Sequence, residues 1–247
     1  MKYAIIAAGE GSRLAAEGIA EPKPLVQVGG ECLIDRLIRI FMQHDADEIV
    51  CICNDRTARV ASHLARLQRD GLEGRPVPLR FVVKSTPSSM HSFFEISHYL
   101  QDGPFIMTTV DTIFRESDFT RYVDAFSRCR REMLMGVTEY IEDESPLYVS
   151  TDERMNVTAF EDAAPVVTPF IAPARRPLYV SAGIYGLQPA ATFTVANCVA
   201  RSETRMRNFQ RALLAEGHTV RAWAFGPVFD VDHASDVQRA ADFLRQQ

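Results

Sequence analysis

Apolar and polar positions in the first half of the chain follow two alternating periods. Short, mostly apolar, strand-like runs at 3–7, 48–53, 79–83 and 105–110 have the length of buried strands. Between them, apolar residues recur at helical spacing over 33–44, 56–69, 89–100 and 117–129. In the first of these helical runs, Leu33, Ile34, Leu37, Ile38, Phe41 and Met42 form one apolar face. Strands alternating with helices predict an α/β fold with a mostly parallel sheet sandwiched by helices. Ligands of such sheets sit at the carboxyl ends of the strands.

The pattern changes near residue 132. Short β-rich pieces appear at 133–139, 147–150, 155–160 and 178–187, and the Pro- and Ala-rich stretch 163–177 reads as a loop or lid. A helix over 203–215, a strand over 219–225 and an amphipathic helix over 234–245 complete the chain. No repeat, low-complexity segment or linker divides it. The reading is one domain over residues 1–247, mixed in sheet direction, with a small β-rich insertion in its second half.

Composition narrows the function classes. With 47% hydrophobic residues the chain can bury a substantial core, and a net charge of −5 argues against a nonspecific nucleic-acid binder. No apolar run approaches the length of a membrane span, and the first residues enter strand and loop directly, which reads as no signal peptide. The five cysteines, Cys32, Cys51, Cys53, Cys129 and Cys198, are odd in number and include no Cys-x-x-Cys pair. They read as reduced thiols of a cytoplasmic protein. Of the 27 Lys and Arg residues, only Lys2, Lys23 and Lys84 are lysines. A drift toward Arg explains the scarcity but not where the remaining lysines fall, so Lys23 and Lys84 are candidates for positions that need a compact ammonium.

The first apolar run ends in Ala7-Ala8-Gly9-Glu10-Gly11-Ser12-Arg13-Leu14, followed by Pro22-Lys23-Pro24-Leu25. A loop of small residues after a first strand lets backbone N–H groups approach a phosphate, and Arg13 and Lys23 add a flat fork and a point charge. Leu14 occupies the position where a dinucleotide-binding fingerprint needs its third small residue, and no Gly-Lys-Ser/Thr of a P-loop is present. Gly-x-Gly-x-Arg with a downstream Pro-Lys-Pro-Leu resembles the signature of the nucleotidyltransferases that make nucleotide sugars and CDP-alcohols. The resemblance implies a Rossmann-like fold with a nucleotide-binding half over about 1–131 and an acceptor-binding half over about 132–247. It also implies triphosphate binding by Ala7, Ala8, Gly9, Gly11, Ser12, Arg13 and Lys23.

An acid closes the strand-like run Phe105–Asp111, at the sheet edge where ligands bind. A carboxylate there suits Mg²⁺, which is held by one or two carboxylates plus phosphate oxygens; in the resembled family this Asp, here Asp111, coordinates the catalytic metal. Phe229-Asp230-Val231-Asp232-His233 resembles the family's second acidic element. Asp230 and Asp232 lie two apart on an extended segment and so point to one side, and the choice between them as second metal ligand stays open. His233 stands where the family carries Thr and reads as structural.

By the same resemblance, the segment from Lys84 to Phe93 meets the nucleobase through Thr86, Ser88 and Ser89. It lacks the glycine of the sugar enzymes and is similar to the corresponding element of bacterial choline-phosphate cytidylyltransferases. Ser88 and Ser89 also read as helix N-caps. On the acceptor side the resemblance points to Ser181 and Gly183 within Tyr179–Tyr185 and to Glu161, with Lys84 reaching either the acceptor or the base; Gly183 inside a strand predicts a bulge or a close ligand approach. The expected catalytic set is Arg13, Lys23 and Asp111, with Asp111, Asp230 and Asp232 as metal ligands and Mg²⁺ as cofactor. The expected reaction joins a nucleoside triphosphate and a small phosphorylated acceptor, first a sugar 1-phosphate, and releases pyrophosphate. Alternatives are a cytidylyltransferase for phosphocholine or a similar phospho-alcohol and a non-catalytic nucleotide-binding regulator. Neither nucleic acid nor membrane insertion is expected; homo-oligomerisation is left open.

Overall fold

The computed structural model describes residues 1–141, 144–165 and 177–246. Its centre is a nine-stranded mixed sheet. Four parallel neighbours run from its middle to one edge, in the order β6 (Phe105–Thr109), β1 (Lys2–Ala7), β4 (Glu48–Cys53) and β5 (Leu79–Val83). These are the four apolar runs of the first half, and the connecting helices are α2 (Leu33–Gln43), α3 (Ala58–Asp70) and α4 (Ser89–Ile96). The second half adds β11 (Tyr179–Leu187) antiparallel to β6. Strand β8 (Met133–Thr138) pairs antiparallel with β11, and β12 (Val220–Phe225) lies parallel to β8. Strands β9 (Tyr148–Thr151) and β10 (Val157–Glu161) extend the same edge as an antiparallel pair. The predicted Rossmann-like sandwich with a β-rich second half is the architecture found.

Alternation along the strands builds a core on each face of the sheet. In β1, Tyr3, Ile5 and Ala7 join one buried cluster with α2, α3, α5 (Glu116–Ser127) and α8 (Ala234–Arg245), whereas Ala4 and Ile6 join another with α4, α6 (Ala190–Ala200) and α7 (Met206–Ala215). A strand buried on both faces has no polar side, so β1 reads as a continuous apolar run.

Several boundaries differ from the sequence reading. The predicted helix over 89–100 is α4 followed by a tighter turn at Ser97–Tyr99, and the helix over 56–69 begins at Ala58, where the Thr57 side chain accepts from the Arg59 N–H. Helix α6 was not anticipated. Its sequence, Ala-Ala-Thr-Phe-Thr-Val-Ala-Asn-Cys-Val-Ala, has no charged face to mark a helical period. Also unforeseen were α1 (Ser12–Ala16), the two-residue hairpin strands β2 (Gln27–Val28) and β3 (Glu31–Cys32), and the miniature pair β7 (Thr112–Ile113) and β13 (Phe229–Asp230). That last pair fixes the site. It places Asp230 opposite Thr112 and joins the end of the central strand to the segment before α8. Most of the predicted loop over 163–177 lies outside the described residues.

Candidate active site

The loop after β1 opens a cleft of about 430 Å³ at the carboxyl ends of the parallel strands. Its walls include Ala8, Gly9, Gly11, Ser12, Arg13 and Lys23, together with Thr86, Ser88 and Ser89 from the start of α4 and Asp111 and Asp232. Ala7 precedes the loop and is buried in the core. Gly11 caps α1 at a φ of 63°, and a Cβ there would stand 3.1 Å from Lys23 Cβ. A glycine therefore serves both the left-handed turn and the approach of the lysine-bearing segment. The Gly9 carbonyl accepts from Asn54 Nδ2 at 3.0 Å, tying the loop to the end of β4.

Lys23 is the hub. Its side chain is only 9% exposed, and its ammonium donates to Asp111 Oδ2 and, at 2.7 Å, to Asp232 Oδ1. Arg13 donates to the other oxygen of Asp232 at 3.0 Å. Both cations of the N-terminal motif thus meet carboxylates that lie 88 and more positions away in sequence. Burial would lower the Lys23 pKa, but the two aspartates outweigh it and raise it above the ordinary lysine value. Burial would raise the Asp111 pKa, and Lys23 outweighs it, holding the carboxyl below its ordinary value. Both groups are therefore charged at neutral pH.

Asp111 Oδ1 is buried and accepts no hydrogen bond. An unsatisfied carboxylate oxygen beside a second carboxylate is the kind of atom a hard cation completes. Among the described residues no three His, Cys, Asp or Glu side chains converge into a preformed metal cage.

Asp236, on the first turn of α8, accepts from the main-chain N–H groups of Asp232 at 3.0 Å and His233 at 2.7 Å. Glu17, just after α1, accepts from Ala234 N at 2.6 Å and lies 2.6 Å from His233 Nδ1. These contacts pin the Asp232 backbone between the glycine loop and α8. His233 is thus part of a structural clasp, and its bond to Glu17 raises its pKa.

A second cavity shares Ser88, Ser89, Asp111 and Asp232 with the first and adds Asp230, Ser181 and Gly183. Of these two cavities Asp230 lines only the second, and Thr112 Oγ1 lies 3.4 Å from its Oδ1. Gly183 has a φ of 70° within a register shift of β11 between Ser181 and Tyr185, which is the bulge its sequence predicts. Two expected residues lie elsewhere. Lys84 directly follows β5 at the sheet edge, where its ammonium pairs with Glu95 at 2.7 Å, and Glu161 accepts from Ser150 Oγ at 2.8 Å on the opposite edge. Neither is among the residues lining the two cavities. Asn54, Glu17 and Asp236 were not foreseen. Asn54 alone carried a signal, because it directly follows a strand at its carboxyl end.

A family model described as nucleotidyl transferase matches residues 2–245. The chain belongs to the nucleotidyl transferase family. Glucose-1-phosphate cytidylyltransferases of Salmonella typhimurium and Salmonella typhi are 34% identical to this nucleotidyltransferase over 53 residues, 22% of this chain. That stretch spans about a fifth, 21%, of the curated relatives' length. Three solved structures share its fold at low identity. A Bacillus anthracis protein assigned as a glucose-1-phosphate thymidylyltransferase superposes with a TM-score of 0.80 at 20% identity, covering 100% of this chain and 96% of its own. The inositol-1-phosphate CTP transferase of T. maritima gives 0.78 at 16% identity, covering 99% and 95%. The CTP:phosphocholine cytidylyltransferase of Streptococcus pneumoniae gives 0.72 at 15% identity, covering 98% of each.

Proposed function

We propose that the protein transfers a nucleotidyl group from a nucleoside triphosphate to a sugar 1-phosphate and releases pyrophosphate. The observation that carries this reading is the Lys23 hub, which joins the acid at the end of the central strand to an acid 209 positions beyond the lysine, beside the glycine loop. An acceptor phosphate is already a nucleophile, so the protein need only align two anions and neutralise their charge. The loop from Ala8 to Arg13 binds the triphosphate, and Arg13 and Lys23 offset the charge that builds on the departing pyrophosphate. Thr86, Ser88 and Ser89 face the base. Asp111 and Asp232 would hold Mg²⁺, with Asp230 beside them toward the acceptor; when bound, the ion supplies Lewis-acid neutralisation of the phosphate undergoing attack.

CTP is the favoured triphosphate, because the curated relatives with local sequence identity are named for cytidylyl transfer to glucose 1-phosphate. The cytoplasm is the favoured compartment, supported by five cysteines that are all free. Thermal unfolding with Mg²⁺ and each of ATP, CTP, GTP, UTP and dTTP tests the nucleotide. A ligand at about 100 times its dissociation constant adds about 2.7 kcal/mol of stability, so CTP gives the largest shift. Absence of a shift with every triphosphate contradicts the reading.

A further inference from the structure

The second cavity has two chemically different parts. Where it meets the nucleotide cleft it is acidic, with Asp111 and Asp232 common to both and Asp230 adjoining. The part it does not share is bounded by β11 and the start of α7 and includes Arg205 and Arg207. Arg207 is already engaged: it pairs with Asp162 and donates to the Ser145 carbonyl at 3.0 Å. Gln210, buried, is fixed by donation to Ser181 Oγ at 2.9 Å. Arg205 differs. Its main-chain N–H bonds Asn208 Oδ1 at 3.2 Å, while its guanidinium has no hydrogen bond or ion pair with any described residue.

Among the described residues lining this cavity, the three aspartates are the only carboxylates and Tyr185 is the only aromatic ring. A quaternary ammonium is recognised by aromatic faces or carboxylates. Away from the shared aspartates it would meet instead the Arg205 guanidinium, which no described residue pairs. A guanidinium offers paired donors that match a carboxylate or neighbouring hydroxyl oxygens. In the function proposed above the phosphate end of the acceptor lies toward the cation that the shared aspartates would hold, so Arg205 faces the opposite end.

We propose that Arg205 is the specificity-determining residue of the acceptor cavity, reading hydroxyl or carboxylate oxygens on the end of the acceptor distant from its phosphate and rejecting a cationic head group. This rests on the nucleotidyl-transfer reading and narrows it to polyhydroxylated or acidic acceptors. The side chain is solvent-exposed, and Arg205 enters the helix cap through its main-chain N–H, which donates to Asn208 Oδ1, so substitution leaves the fold standing.

The test uses the full chain with Mg²⁺ and the triphosphate that gives the largest thermal shift. Steady-state pyrophosphate release is measured with glucose 1-phosphate, glucuronic acid 1-phosphate and phosphocholine as acceptors, for wild type, Arg205→Ala, Arg205→Lys and Arg205→Glu. Loss of charge-assisted hydrogen bonds predicts an acceptor KM raised roughly 10- to 100-fold in Arg205→Ala. The KM for the triphosphate stays unchanged, and Arg205→Lys recovers part of the loss. Arg205→Glu shifts preference toward phosphocholine. An acceptor KM within twofold of wild type in Arg205→Ala, or phosphocholine as the best wild-type acceptor, overturns the proposal. Calorimetric titration of glucuronic acid 1-phosphate into wild type and Arg205→Ala separates the two layers. Weaker binding to the variant, with no pyrophosphate from any acceptor, faults nucleotidyl transfer and supports Arg205. Equal binding to both overturns the role of Arg205.

Discussion

Lys23 holds two carboxylates that would otherwise repel each other across the mouth of the cleft. Removing one partner of a buried ion pair leaves uncompensated charge and costs about 3–5 kcal/mol. Asp232 is 38% exposed and keeps Arg13, so Lys23→Met falls at the lower end of that range, about 3 kcal/mol by urea unfolding. The same substitution removes the ammonium that Asp111 and Asp232 share, so millimolar Mg²⁺ restores more stability to the variant than it adds to wild type. Equal stabilisation of both proteins by Mg²⁺ contradicts the assignment of these aspartates as a metal pair. The lysine was legible from the Pro-Lys-Pro-Leu element and Asp111 and Asp232 from the resemblance, but their direct pairing was not, because contacts across 88 and 209 positions leave no local trace. Lys84 shows the converse. Scarcity marked it equally, yet it directly follows the edge strand β5, where an ordinary ion pair with Glu95 accounts for it.

Among the elements, those with strong periodicity were legible and those defined by their surroundings were not. Strands β1, β4 and β6 were largely apolar runs because helices cover both faces of the sheet, whereas β5 at the edge carries exposed Arg80 and Val83. Helix α6 lacks a charged face and carries β-branched Thr and Val, so nothing in its composition opposes a loop or strand reading. The β7–β13 pair is two residues long and exists because distant segments meet. Strand β11 is the clearest case of an element shaped for its site. Gly183 takes a left-handed conformation, and a Cβ there would stand 3.0 Å from Thr112 Oγ1, the hydroxyl that lies 3.4 Å from Asp230 Oδ1. Gly183→Ala costs about 1–2 kcal/mol from the backbone alone, read as a lowered urea midpoint. It also shifts Thr112 and raises the acceptor KM. A variant as stable as wild type contradicts the bulge as a strained, purposeful feature.

Across the whole molecule, the sheet brings three separate acids to one edge: Asp111 from the end of the central strand, and Asp230 and Asp232 from the approach to α8. The Glu17 and Asp236 clasp fixes that approach against the glycine loop. The fold and the N-terminal phosphate motif were thus legible in sequence, whereas the meeting of cavities and the clasp arise only from topology. The central claim is that this arrangement performs metal-dependent nucleotidyl transfer. The most direct measurement is pyrophosphate release from CTP on addition of glucose 1-phosphate, with and without Mg²⁺, in wild type and Asp111→Ala. The account predicts release that needs both acceptor and metal, and a loss of two orders of magnitude or more, roughly 10²–10³, in a variant that stays folded by circular dichroism. Near-normal turnover by Asp111→Ala, or no acceptor-dependent release with any of the five triphosphates, would contradict it.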